Sequence, residues 1–567
     1  MFRNRQYLIF FFFIFLFLCL LSRLFFLQVV SFERFSDMAA NQHNRVLKIE
    51  PRRGTIFDRF LEPLAINLEV PSVYSDPRFV KDKEEAARKL ADILALDRQD
   101  LVEKLNRKNA FVWIKRKISR KEAEALEKEA IKGVFFTDES KRNYSSDGLA
   151  SHVLGFVNID NKGLEGLELF YDRELKGEPG WRHLVRDARR RTVLYDREES
   201  VPPKNGLNLV LTIDSVIQYI TEQELKNMAE KHNASGACAV VMEPYSGRIL
   251  AMASYPDYDL DDYSVTPKEV MKNSCLSSIF EPGSVFKVVT AGAVLNEGTV
   301  TMDEVFDCEN GEWNVAGRVL HDYHAYGDLS FREVIVNSSN IGTVKAAMKL
   351  GEERLYDYID LFGFGEETGI DLPGEVAGIN RHPRTWSRSD ITTIPIGQGI
   401  AVTPLQMASA LSVIANGGRL MRPYIVDRII TLDGNVHRSF GPSVVREVLS
   451  EETCSKMKDM LRAVVKEGTG RRADSRLYET CGKTGTAQMV DPKGGYYPDK
   501  YYATFIGFAP KEDPEVVIVV SAKDPHPVYF GGSVAGPAFR KIAERSVQYL
   551  ESNRQPDVDA EIGLTGR

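Results

Sequence analysis

Hydrophobic and polar positions change their rhythm several times along this chain, and each change predicts an element. From Tyr7 the run YLIFFFFIFLFLCLLSRLFFLQVV is almost unbroken in its hydrophobicity to Val30. Tyr7 to Leu27 amounts to about 20 residues, enough at ~1.5 Å per residue to span a ~30 Å hydrocarbon layer. The run is too long for the apolar core of a signal peptide, and no Ala-x-Ala-like site follows, so it predicts an uncleaved anchor over 7–27. Arg23 lies near the far end, where a long cation can reach the headgroups. Arg3 and Arg5 precede the run and predict that the tail 1–6 stays in the cytoplasm.

Beyond the anchor the pattern turns amphipathic. Residues 82–131 alternate charged and apolar positions at helical spacing (KDKEEAARKLADILAL, SRKEAEALEKEA) and read as helical. Residues 143–200 mix glycine turns, short strands and a basic run, RDARRRTVLYDRE (186–198), which reads as a solvated strand pair. ESVPPKNGLN (199–208) marks a boundary. After it NLVLTI predicts a strand, and Asp214 an N-cap for the helix SVIQYITEQELKNMAEKH. GACAVVME and RILAMAS predict two strands joined through PYSG. Late in the chain KTGTAQMV, YYATFIGFA and EVVIVVSAK predict three more, and GPAFRKIAERSVQYLE a closing amphipathic helix. Two strands early, three late and helices between suit an antiparallel sheet covered by helices.

Composition changes this picture little. The chain has 567 residues, 43% hydrophobic and 27% charged, with a net charge of −7. That supports large cores and several units, and gives no basic footprint for nucleic acid. Six cysteines, Cys19, Cys238, Cys275, Cys308, Cys454 and Cys481, are too scattered for a disulfide scaffold. One or two bridges are compatible with the sequence, which does not choose among pairings. No CxxC or HExxH pattern is present, so no metal site or cofactor is expected.

The candidate chemistry begins in FEPGSVFK (280–287). Pro282 and Gly283 mark a helix entry, and Ser284 and Lys287 stand at i and i+3, on one helical face. A serine becomes a nucleophile when a base takes its proton, and a lysine acts as that base when burial or a nearby cation disfavours its charge. Ser-x-x-Lys alone is weak; Ser455 and Lys458 repeat it in SEETCSKMKDMLRAVV, where an amphipathic pattern turns both toward water. Two further motifs raise the odds for Ser284. Ser338-Ser339-Asn340 interrupts two helical segments; its simpler reading is a helix break with polar caps. Lys483-Thr484-Gly485-Thr486 lies on a predicted strand, where a glycine marks close approach of a ligand or another backbone; its simpler reading is a bulged strand with a surface lysine.

The ordered set Ser-x-x-Lys, Ser-x-Asn, Lys-Thr-Gly-Thr resembles the penicillin-recognising serine enzymes. RGTIFDR (53–59), EPGSVFK, IGQGIAVTPLQMA (396–408) and DPHPVYFGGSVAGPAF (524–539) resemble the class B penicillin-binding proteins, and HVLGFVNIDNKGLEGLE (152–168) their septal, cell-division branch. Leu61 stands where that family carries a glycine, so the local turn is expected to differ. The resemblance implies an α+β architecture: the anchor, a non-catalytic pedestal over 35–203, a transpeptidase domain of serine β-lactamase type over 204–552 and a polar tail over 553–567. It implies a D,D-transpeptidase held in the cytoplasmic membrane by a single pass, its catalytic part outside. Ser284 is then the acylated nucleophile, Lys287 its base, Ser338 a proton relay and Asn340 an orienting amide. Lys483 tunes the site, and Thr484, Gly485 and Thr486 line the substrate carboxylate. Ser284 and Thr486 main-chain N–H groups would form the oxyanion hole. Implied partners are peptidoglycan stem peptides, β-lactams, a membrane-embedded glycan polymerase and other division proteins. An elongation-type transpeptidase, a D,D-carboxypeptidase or β-lactamase on the same fold, and a catalytically silent scaffold remain as alternatives.

Overall fold

The computed structural model describes residues 2–35, 44–144, 148–186, 192–195 and 200–553. The chain divides into two compact units, 1–53 with 176–206, and 54–175 with 207–567. In the first, the helix Phe2–Phe25 continues as a π-turn over Phe26–Val30. Asn4–Val30 is long and apolar enough to cross a membrane, by length and composition. The strands Asn44–Ile49, Gly180–Arg186 and Thr192–Tyr195 form an antiparallel sheet. Of the basic run expected as a strand pair, Arg186 and 192–195 lie in these strands; 187–191 and 196–198 lie outside the described residues.

The second unit opens with strands β1 (Ile56–Phe57) and β2 (Pro63–Ser75). Asp58 builds the turn between them, its Oδ1 accepting from Phe60 N–H at 2.8 Å and Glu62 N–H at 2.9 Å. Leu61 sits in this turn with φ 68°, the left-handed backbone a glycine adopts at no steric cost. So the turn survives the replacement that the sequence flagged. Asp58 Oδ2 also accepts from Ser215 Oγ at 2.7 Å.

The stretch expected to be helical holds three helices and one strand. Helix α1 (Lys83–Leu94) starts at Asp82, which accepts from Glu85 N–H, and α2 (Arg98–Asn106) at Asp97. Then β3 (Val112–Lys115) intervenes before α3 (Arg120–Glu129), which a Ser119/Glu122 capping box begins. In VWIK, Val112 and Ile114 are buried and their neighbours half-buried, the two-residue period of a strand, and β-branched and aromatic residues fit it. Strand β4 (Val134–Tyr144) pairs along the whole of β2 from Ala65 to Ser75. The buried Arg142 on β4 binds Glu168 at 2.6 Å and the carbonyl of Gly54 at 2.7 Å.

After the Pro-Pro boundary come β5 (Asn208–Leu211), α4 (Ser215–Lys231), β6 (Gly236–Met242) and β7 (Ile249–Tyr255). Asp214 caps α4 as expected, accepting from Val216 and Ile217 N–H. The central elements are α5 (Lys287–Asn296), the hairpin β8 (Glu312–Val315) and β9 (Arg318–His321), α6 (Phe331–Asn337), α7 (Asn340–Leu350), α8 (Pro404–Ala415), β10 (Val426–Ile430), β11 (Val436–Ser439) and α9 (Glu451–Lys466). Strands β12 (Cys481–Val490), β13 (Tyr496–Ala509) and β14 (Val516–Lys523) and helix α10 (Gly531–Asn553) close the unit.

The predicted early and late strands form one antiparallel sheet, in the order β7-β6-β14-β13-β12. Both faces are covered. Val240, Met242, Val517 and Val519 join a core with Met407 and Leu411 of α8; Val241, Ile518 and Val520 join another with Ile217 of α4 and Phe539 of α10. Helix α8 is buried all round, as an apolar helix without a polar stripe must be. Strand β5 goes elsewhere: it pairs in parallel with β1 and antiparallel with β10, in a second sheet of order β11-β10-β5-β1-β2-β3 with β4 added on β2. The cysteines from Cys238 onward are buried free thiols.

Candidate active site

The site is built where the short end of β12 meets the start of α5. Residues Gly283–Phe286 form a 3-10 turn that leads into α5, with Ser284 half-buried within it. The turn is held on its other side by Gly283 N–H, which donates to Gly397 O at 3.0 Å, and by a two-way bridge between Phe280 and Val402. Glu281 accepts from Gly399 N–H at 2.8 Å and from Tyr496 Oη at 2.9 Å, so the loop 397–402 and the root of β13 both brace the serine's turn.

Gly485 explains how β12 can lie so close. A Cβ there would stand 2.8 Å from Val285 Cγ1 and 3.0 Å from Pro282 O. Only a residue without a side chain lets the strand abut the nucleophile's turn. Strand alternation then sorts the motif. Lys483 and Gly485 face Ser338 and the 283–286 turn, whereas the Thr484 and Thr486 side chains lie on the other face of this edge strand, toward Thr469 and the start of α10. Thr484 Oγ1 lies 2.8 Å from Thr469 Oγ1, and Thr486 Oγ1 accepts from Gly531 N–H at 3.1 Å, at the start of α10. An accepting hydroxyl keeps its proton, so Thr486 still has a donor to offer.

Lys287 is fully buried. Its Nζ donates to Ser338 O at 2.7 Å, to Asn340 Oδ1 at 2.8 Å and to Ser338 Oγ at 3.3 Å. Ser284 and Lys287 share a helical face, and in this structure the amine's hydrogen bonds go to the Ser338–Asn340 segment. Burial pushes Lys287 down to about 7, against the opposing pull of the Asp322 carboxylate. Lys483 is equally buried. It donates to Ser338 Oγ at 2.9 Å and to Thr484 O at 3.2 Å. Burial first, and then the neighbouring Lys287, push its amine far below the ordinary lysine range. Two amines therefore converge on one hydroxyl, in surroundings that disfavour charge on either.

Ser338 holds that position because α6 ends on it in left-handed backbone, φ 60° and ψ 39°. Ser339 begins α7, its Oγ accepting from Gly342 N–H at 3.0 Å. The simpler reading of Ser-Ser-Asn as a capped helix break thus describes Ser339, while Ser338 and Asn340 turn toward the lysines. Asn340 Nδ2 donates to His321 O at 2.8 Å, which leaves Oδ1 for Lys287. Asp322 beside it accepts from Ser339 Oγ at 2.6 Å and from the N–H groups of Asn340 and Ile341. Asp322 carries no motif in the sequence, and Glu281 and Gly397 lie in the segments EPGSVFK and IGQGIAVTPLQMA without an assigned role; each acts through a contact between segments far apart in the chain. The decoy stands apart from all of this. Ser455 is exposed on α9, and Lys458, expected at the surface, is half-buried and donates to Glu512 O at 3.4 Å.

The chain is similar in sequence and fold to known proteins. The family described as Penicillin binding protein transpeptidase domain matches residues 237–544, and the Penicillin-binding Protein dimerisation domain matches 48–211. The chain is 38% identical over 556 residues to Stage V sporulation protein D of Bacillus subtilis, covering 97% of this chain and 86% of that one. It is 32% identical over 549 residues to peptidoglycan D,D-transpeptidase FtsI of Escherichia coli, covering 95% and 90%. Among solved structures it resembles penicillin-binding protein 3 of Mycobacterium tuberculosis complexed with aztreonam, with a TM-score of 0.71 and 29% identity over 90% of this chain and 98% of that one. A peptidoglycan synthetase from Bifidobacterium adolescentis gives a TM-score of 0.72 at 26% identity, covering 91% and 99%.

Proposed function

The chain belongs to the penicillin-binding protein transpeptidase family, and from that premise we propose how its residues carry out serine-type D,D-transpeptidation of peptidoglycan. Ser284 Oγ attacks the carbonyl carbon of the penultimate D-Ala of a stem peptide. Lys287, as the neutral amine, takes the hydroxyl proton. Main-chain N–H groups of Ser284 and Thr486 receive the oxyanion. Ser338 passes a proton to the nitrogen of the terminal D-Ala as the peptide bond breaks, and that D-Ala leaves as a free amino acid. An amine of a neighbouring stem then attacks the ester carbonyl, forms the cross-linking amide and returns Ser284 to its hydroxyl. Lys483 and the Thr484 and Thr486 hydroxyls receive the substrate carboxylate. A β-lactam enters by the same attack, its ring amide opening in place of the peptide bond. The observation that carries this reading is the buried Lys287–Ser338–Lys483 chain beside the Ser284 turn.

The test is labelling of the full-length protein with a fluorescent penicillin and mapping of the modified residue. Ser284→Ala should abolish labelling and Ser455→Ala should leave it at the wild-type level; labelling that survives Ser284→Ala overturns the assignment. Product analysis separates the hydrolase alternatives, since a transpeptidase yields cross-linked dimer and a carboxypeptidase trimmed peptide with free D-Ala.

The wider reading is a single-pass membrane enzyme of septal wall synthesis, its domain of 204–552 outside the cytoplasm and joined in the membrane by a glycan polymerase and division proteins. The apolar helix, Arg3 and Arg5 before it, and the 152–168 segment support it. The likeness to a sporulation protein supports a second reading, a wall enzyme of spore formation. Depletion distinguishes them: filamentous growth follows from the first, and normal division with defective spores from the second.

A further inference from the structure

One carboxylate stands behind the site without touching the reacting atoms. We infer that Asp322 is a positioning residue for Lys287, holding the Ser338–Asn340 segment through the N-terminus of α7 and supplying the counter-charge that sets when the amine is neutral. The inference rests on the transpeptidase reading above.

The geometry begins with the hairpin β8–β9. Asp322 follows the last residue of β9, and its own N–H donates to Gly311 O at 3.0 Å, so the segment is pinned to the start of the hairpin. Its two oxygens divide the work. Oδ1 accepts from Asn340 N–H and, at 3.1 Å, from Ile341 N–H; Oδ2 accepts from Ser339 Oγ at 2.6 Å. Ser339 Oγ in turn receives Gly342 N–H. Three of the first N–H groups of α7, which have no partner within the helix, are thereby satisfied by one carboxylate and the hydroxyl it holds. A negative charge at that end also meets the positive end of the helix dipole. The residue before Asp322 adds the second hold: His321 O takes Asn340 Nδ2 and so orients Oδ1 toward Lys287. Both strong acceptors of Lys287, Ser338 O and Asn340 Oδ1, therefore sit on a segment that His321 and Asp322 clamp.

The electrostatics follow from the same placement. The charged and titratable groups acting on Lys287 are Asp322 from the end of β9, the buried Cys308 thiol from the segment before β8, and Lys483 from β12. From α7 the facing group is the neutral Asn340, while Lys345 of that helix is turned to Glu309 and Asp307 O. Asp322 is the carboxylate of this set. Its charge favours the ammonium form of Lys287, while burial favours the free amine. Without that charge the amine loses its proton at a lower pH.

The test is the pH dependence of acylation in the full-length, detergent-solubilised protein, read as the second-order rate of fluorescent penicillin labelling from pH 5 to 9. Asp322→Asn keeps the shape and one acceptor but removes the charge; the acid limb should move down by at least about half a pH unit. Ser339→Ala breaks the hydroxyl link and keeps the charge; it should slow acylation with the limb in place. Asp322→Glu keeps the charge at a longer reach, and should likewise slow acylation with the limb unmoved. A limb that stays put or rises in Asp322→Asn overturns the inference, whatever the fall in rate. Should Asp322→Asn fail to melt cooperatively, Asp322→Glu decides: a displaced limb there overturns the inference and an unmoved limb with slower acylation supports it. A wild-type protein that is not labelled at Ser284 overturns the transpeptidase reading and this inference together; a labelled wild type with an unmoved Asp322→Asn limb overturns this inference alone.

Discussion

Lys483 Nζ lies 2.9 Å from Ser338 Oγ, the same hydroxyl that Lys287 Nζ approaches at 3.3 Å from the start of α5. Two fully buried ammonium groups on one oxygen would repel each other and lack the solvation each needs. The pair therefore loses its protons in two separate steps, and both steps belong to the pair. This makes a free amine available beside Ser284 at neutral pH, from a residue type that is ordinarily charged there.

Acylation should rise with pH through about 7, the value to which burial brings Lys287. The sign follows from the reactive form. The neutral amine accepts the serine proton, so activity is present above that pH and is lost as the ammonium forms below it. Stopped-flow acylation between pH 5 and 9 checks this; a rate that is flat from pH 6 to 8 contradicts it.

The two lysines should respond differently to arginine, which cannot give up its proton. Lys287→Arg should cost about 10²–10⁴ in acylation rate, the range assigned to a general base. Lys483→Arg should retain more, because the proposed part of Lys483 is to hold a proton toward the substrate carboxylate, whose negative charge offsets the burial once it is bound. Its full burial means that the larger guanidinium must displace neighbours, so some loss is expected there too. Equal losses would reassign the base to the pair or to Lys483.

Gly485→Ala should impair both packing and labelling. Its Cβ would press on Val285 Cγ1 and Pro282 O, and overpacking of this kind costs about 1–3 kcal/mol. Because the displaced atoms carry Ser284, acylation should fall while the protein still folds. Thermal melting and penicillin labelling of the same preparation measure the two effects, and normal labelling would show that the strand and the turn move independently.

Leu61→Gly should stabilise the protein. Leu61 is half exposed, so it buries little, yet it holds φ 68°. A left-handed backbone costs a residue with a Cβ about 1–2 kcal/mol, and glycine returns part of that to its own larger unfolded-state entropy. A net gain of about 0.5–1 kcal/mol is expected. The denaturant midpoint measures it; a fall would mean that the leucine side chain packs against something in the working enzyme.

Replacing residues 7–27 with an unrelated apolar anchor of equal length should leave penicillin labelling intact, because the site is assembled from residues 280–531. Co-purification with a membrane glycan polymerase should weaken if the run of Phe10 to Phe13 offers shape to a partner helix. Full function of the swapped protein in cells would leave anchoring as the helix's whole task.

Much of this protein is legible in the chain order. Apolar length predicts the spanning helix, short apolar segments bounded by turn residues the five sheet strands, and Asp214 the cap of α4, because each is a local property of neighbouring residues. The three motifs mark Ser284, Lys287, Ser338, Asn340 and Lys483 for the same reason: each motif is short and its chemistry is written in a few adjacent side chains. What the chain order leaves open is where those side chains point and what stands behind them. The strand Val112–Lys115 is hidden in a charged helical stretch because tertiary pairing with β2 outweighs the surrounding propensity. Strand β5 joins β1 and β10 instead of the sheet beside it because hydrogen-bond partners are chosen in space. Lys287 reaches Ser338 and Asn340, and Lys483 is buried rather than exposed, through contacts spanning 51 and 145 residues. Asp322 carries no motif at all, and its role exists only because the end of a hairpin meets the N-terminus of α7. Burial and long-range charge decide whether a lysine is a cation or a base, and both are properties of the assembled fold.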